Sequence, residues 1–148
     1  MTTNVLVPLS DSVSSRAVVD YLVNLPFCPE DWNVVLMHLF RKPSASEELM
    51  GKKFTEEMSA RYQDVLEKAR DRLIEAGFTP DHITIKMISE PYPTISDGII
   101  DQFRKDKYDM VVIGRKRMTK AEEFVMGDVS VKLLRALEGA AILVVKSK

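Results

Sequence analysis

Five short apolar runs divide the chain, and between them apolar residues recur at helical spacing. Asn4 to Leu9 is short and nearly continuous in strand-forming residues. After it Ala17, Val18, Tyr21, Leu22 and Leu25 share one helical face, which Pro26 and Pro29 bring to an end. Asn33 to Phe40 is again apolar on both faces, as expected of a strand covered on both sides. The longest helical pattern follows. Phe54, Met58, Tyr62, Val65, Ala69 and Leu73 recur at intervals of three or four, and Gly77 stands where a left-handed C-cap belongs. Glu57 with Arg61, and Asp64 with Lys68, are favourable i,i+4 pairs on its wet side. Lys42 to Gly51 is polar and carries a glycine, which predicts a mobile connection or a loose first turn.

The third run differs. Ile83, Ile85 and Met87 alternate with Thr84 and Lys86, the pattern of a half-exposed strand at a sheet edge. A helix is expected from Thr94 to Lys105, with Ile95, Ile99 and Phe103 inward. Met110 to Gly114 predicts the fourth strand, Asp128 to Leu137 the last helix and Ala141 to Lys146 the last strand.

This alternation predicts an α/β fold, a Rossmann-like open parallel sheet with helices on both faces. Right-handed crossovers leave few arrangements. Continuous apolar runs at Val5–Leu9 and Met110–Gly114 suit central strands and the alternating run suits an edge, which favours the order 3-2-1-4-5. Ligands in such sheets bind beyond the carboxyl ends of the strands, where the order reverses, here between strands 1 and 4. No repeat, low-complexity tract or linker interrupts the pattern, so one domain spanning residues 1–148 is expected.

Composition narrows the function. The chain has 148 residues, 45% hydrophobic and 29% charged, the balance of a globular domain with a real core. A net charge of -1 provides no field to draw in nucleic acid or an anionic membrane. No apolar run approaches the roughly 20 residues of a membrane span. The N-terminus reads as a strand rather than a leader, and Cys28 is the only cysteine, which excludes an internal disulfide. A cytoplasmic protein is expected.

Several segments together resemble the universal stress protein family over essentially the whole chain. "NVLVPLSDSVSSRAVVDYLVNL" is similar to that family's first strand and helix, "VVLMHLF" to its second strand, "YDMVVIG" to its fourth and "AILVVKSK" to its last. The resemblance implies the fold and a dimerisation habit. Nucleotide-binding members carry G-x-x-G-x9-G-[ST] after strand 4. Here the spacing is kept, with Gly114, then Arg117 in place of the second glycine, then Gly127, then Asp128 in the hydroxyl position. Their first loop usually carries an Asp. By alignment that place falls on Ser10, with an acid displaced to Asp11.

The physical reading of this loop weighs against triphosphate. Arginine at 117 adds a Cβ where glycine lets backbone amides approach phosphate oxygens. Arg115, Lys116, Arg117 and Lys120 could offer charge in compensation, or form an ordinary solvated loop. A carboxylate at Asp128 caps the helix N-terminus itself and repels an anion there. Two like charges about 4 Å apart cost roughly 1 kcal/mol in water and several times more in a drier cleft. Ser130, in the first turn of that helix, could donate to an oxyanion or serve as a cap. Asp11 and Ser12 are expected to cap the first helix.

Other chemistry finds little support. There is no Walker pattern, and "PLSDSVSS" lacks the glycines of a pyrophosphatase loop. Only His38 and His82 could serve as bases. The first reads as a core residue and the second as solvated, and nothing has metal-ligand spacing. The expected function is therefore a regulatory or binding module of the stress response, not an enzyme, without tight ATP binding or another cofactor. The alternative is an ATP-binding protein using the basic loop 115–120 and the Gly127 helix N-terminus. Ser10, Asp11, Gly114, Arg117, Gly127, Asp128 and Ser130 are the candidate site. Expected partners are a second copy through the C-terminal strand, apolar on both faces, and an unidentified protein.

Overall fold

The computed structural model describes residues 2–25, 30–41, 45–122 and 129–147. Gly127 and Asp128, Pro26 and Pro29 with their expected helix stop, Lys42 to Ser44 and Lys148 lie outside the described residues. Five parallel strands, β1 (Thr3–Pro8), β2 (Trp32–Arg41), β3 (Ile83–Tyr92), β4 (Met110–Arg115) and β5 (Ala141–Lys146), form one sheet in the order β3-β2-β1-β4-β5. The expected order is the observed one.

The apolar runs are continuous because both faces of the sheet are covered. Val5 and Val7 of β1, with Val34 and Leu36 of β2, meet α1 (Val13–Val23) and α3 (Gly51–Glu75) through Val18, Leu22, Leu66 and Leu73. Leu6, Met37, Leu39, Val111 and Ile113 point the other way, onto Ile99 and Phe103 of α4 (Ile95–Asp106) and Leu133 of α5 (Val129–Ala136). The period of two within each strand thus divides its side chains between two cores. Fully burying one such leucine stabilises the fold by about 1.5–3 kcal/mol.

Helix α3 ends as its glycine predicts. The Gly77 amide donates to Ile74 and the Phe78 amide to Leu73, with Gly77 at φ 107°, the paired bonds of a Schellman stop. Two expectations are corrected in this region. Between Lys42 and Gly51 a separate short helix α2 (Ala45–Leu49) forms, broken from α3 where Gly51 adopts φ 79°. The apolar stripe of α3 is also buried only in its second half. Phe54, Met58 and Tyr62 are half-buried, whereas Leu66, Ala69 and Leu73 are buried against the strands.

Candidate functional site

The switch between β1 and β4 opens a cleft of about 220 Å³ at the carboxyl edge of the sheet. Its polar wall comes from the turn after β1 and the first turn of α1, with Ser10, Ser12, Ser14 and Ser15. Ser12 is the N-cap, its Oγ accepting from the Ser15 amide at 3.1 Å. The Ser15 Oγ accepts from the Ser10 amide at 2.8 Å. Ser10, Ser12 and Ser15 hydroxyls lie 3.1–3.3 Å from one another. The helix N-terminus is therefore partly satisfied by its own serines before any ligand arrives.

The opposite wall is apolar. Ile95 and Ile99 from α4, Leu39, Ile113 and Val129 line it. His38 reaches the same space from β2. Its Nδ1 is 2.9 Å from the Leu9 carbonyl oxygen, so in the neutral ring Nδ1 carries the proton and donates. Its ring stacks on Tyr62 of α3, with centroids 3.7 Å apart. Burial holds His38 below the ordinary histidine value, against a smaller upward pull from the Leu9 hydrogen bond. No serine of the cleft is hydrogen-bonded to His38 among the described residues, so the pair has no nucleophile–base geometry. Among the described residues no group of three or more His, Cys, Asp or Glu is placed to hold a metal. No helix among them is long and apolar enough to cross a membrane.

The profile of the Universal stress protein family matches residues 1–146. The chain belongs to the universal stress protein family. Solved structures of like fold include a universal stress protein in complex with cAMP, 17% identical at a TM-score of 0.66, covering 99% of this chain and 98% of that one. Another is an Arabidopsis thaliana universal stress protein family member with AMP bound, 17% identical at a TM-score of 0.67, covering 99% and 92%. A third is UspA from Lactobacillus plantarum, 12% identical at a TM-score of 0.65, covering 97% of both chains. No curated protein matches the sequence.

Within this universal stress protein fold the expected site residues separate. Ser10 and Gly114 line the cleft together. Ser130 is buried one residue beyond Val129, which also lines it. Arg117 is exposed and outside the lining. Asp11 neither caps α1 nor faces the cleft. Its carboxylate takes Arg61 Nε of α3 at 2.8 Å, with Arg61 Nη2 on the same oxygen, and meets Arg16 at 3.4 Å. Arg61 thus turns to Asp11, not to the expected Glu57, while the Asp64–Lys68 pair forms at 2.8 Å.

Sequence reasoning passed over Ser14, Ser15, Leu39 and Ile113 as cleft residues. Four serines within the six positions after a strand are the available signal for the polar wall. For Leu39 and Ile113 there was none, since carboxyl-end strand residues look like core.

Proposed function

We propose that this universal stress protein is a cytoplasmic, single-domain (residues 1–148) binding or regulatory module of the stress response, acting without turnover and without tight ATP binding. The observation that carries this reading is the cleft lining. None of the described residues around it is cationic, so a triphosphate would meet hydroxyls and aliphatic carbons without counter-charge. The cleft is also smaller than the about 300–1,000 Å³ of most drug-sized ligand pockets. Calorimetry with Mg-ATP should yield no saturable heat in the low-micromolar range, and a low-micromolar dissociation constant would overturn the reading. Arg117→Gly combined with Asp128→Ser should create or strengthen binding. A double variant that binds no better than the parent removes these two residues from the account.

A second reading, adenine-nucleotide binding through loop 115–120 and the Gly127 helix N-terminus, draws support from the solved structures with cAMP and AMP bound. The serine wall favours a ligand with fewer charges than ATP. Titrating AMP and cAMP beside ATP separates the two readings: AMP binding with ATP excluded fits the cleft, and equal binding of both favours the basic loop. The proposed partners are a second copy of the chain across the β5 edge and a protein that reads the module's state.

A further inference from the structure

A second concavity, about 390 Å³, runs between α1 and α3 beside the serine-walled cleft, separated from it by a turn whose Leu9, Ser10 and Ser15 line both. Its floor is aliphatic, formed by Val19 of α1 with Val65 and Ala69 of α3. Its border carries four cations, Arg16, Arg61, Lys68 and Arg72, against Asp11 and Asp64, with Asp20 just outside the lining and paired to Arg72 at 2.7 Å, so one positive charge is in excess. This excess opposes the chain's formal net charge of -1. We propose that the groove docks an extended acidic segment of a partner protein, with carboxylates at its ends and aliphatic residues between them.

The geometry matches that occupant in three respects. Charge is placed at both ends: Arg16 and Arg61 share the single carboxylate of Asp11 at one end, and Lys68 and Arg72, paired with Asp64 at 2.8 Å and Asp20 at 2.7 Å, stand at the other. Arg16 reaches Asp11 only at 3.4 Å, so a second carboxylate delivered there would balance two guanidiniums that now divide one. Length agrees as well. At 1.5 Å per helical residue, Arg61 to Arg72 spans about 16 Å, which is about five residues of extended peptide. Finally, the ion pairs in place are exchangeable. The cationic side chains of these pairs are 46–75% exposed, and exposed pairs contribute little, so incoming carboxylates displace them at small cost. The apolar middle of the segment would then lie over half-buried Val65, while Val19 and Ala69, each already only 5% exposed, supply a fitted floor rather than much further burial. This surface is independent of whether the cleft takes a nucleotide.

The test uses the full chain, isotope-labelled and followed by amide NMR, with the blocked peptide acetyl-Asp-Val-Leu-Val-Glu-amide as probe. Saturable shifts are expected at Val19, Val65 and Ala69. Arg61→Gln and Arg72→Gln should each weaken binding about threefold, the effect of one exposed charge pair. Val65→Glu, which sets a carboxylate on the floor, should weaken it further while the spectrum remains that of a folded chain. The counterpart with Lys at both ends should not bind. The proposal fails if millimolar peptide gives no saturable shift, if the Lys peptide binds equally, or if the shifts map to Ile99 and Gly114 in the cleft. Free suberate binding as tightly as the peptide would also overturn it, since the groove would then hold a small dicarboxylate rather than a protein segment.

Discussion

The backbone of Ser14, in the first turn of α1, presses against Gly114 at the end of β4. A methyl group on Gly114 would stand 2.7 Å from the Ser14 carbonyl carbon and nearer still to its oxygen. The obstacle is backbone, which cannot swing aside as a side chain would. This packing requires a glycine at 114 whether or not anything binds, and no positive φ is involved. Gly114→Ala should therefore destabilise the protein by about 1–3 kcal/mol, the usual cost of overpacking. Urea unfolding of the variant within a few tenths of a kcal/mol of the parent would refute the close-approach account.

His38 should give stability a pH dependence. Its folded value lies below the ordinary 6.5, because burial disfavours the charged ring. The unfolded chain then binds the proton more readily than the native one. The contribution is fully present above about pH 6.5 and is lost as pH falls from there through the lower folded value. Urea midpoints measured across this window should decline on acidification, and His38→Gln should flatten that decline. An unchanged slope in the variant would assign the titration to another group.

Tyr108 presents a buried orphan. Among the described residues its hydroxyl has no hydrogen-bond partner, while its ring packs 5.9 Å from Phe103. Burial pushes the phenol up to about 12. Because this acid is raised, the stability it contributes is present below about pH 10 and lost as pH rises toward the folded value. Tyr108→Phe keeps the ring and removes the unsatisfied group, so it should leave stability unchanged or raise it by up to about 1 kcal/mol. A thermal melt that falls by several degrees would mean the hydroxyl has a partner that matters.

The β5 edge provides a test of assembly. Ala141 donates its amide to Asp109 at 3.0 Å and Ser147 to Arg115 at 2.9 Å, so odd-numbered residues of β5 bond inward to β4. Strand alternation then turns the Val144 amide to the open edge. Val144→Pro should remove an outward donor while sparing the β4 ladder, and so abolish a dimer built by pairing β5 with its copy. Sedimentation of the intact chain as a monomer at tens of micromolar would reject that dimer.

Much of this architecture was legible in the chain because its causes are local. Val5 to Leu9 and Met110 to Gly114 read as central strands since residues covered on both faces must be apolar at every position. Gly77 marked the end of α3 because only a residue free to take positive φ completes that stop. Right-handed crossovers then left the order 3-2-1-4-5 as the natural arrangement.

The candidate site was legible only in part. Ser10 and Gly114 meet at the cleft because strands 1 and 4 are neighbours, and this follows from the sheet order. Asp11 turned away because Arg61, fifty residues later, stands at the azimuth of α3 that faces the β1–α1 turn. The same kind of long-range register sets Tyr62 on His38 and Ser14 on Gly114. Hydrophobic period selects a helix and its buried face, but a side chain's partner depends on how far each helix is rotated and slid against the sheet. That offset is decided by the packing of both cores at once, so the sequence determined the scaffold and only the tertiary structure decided which polar groups meet.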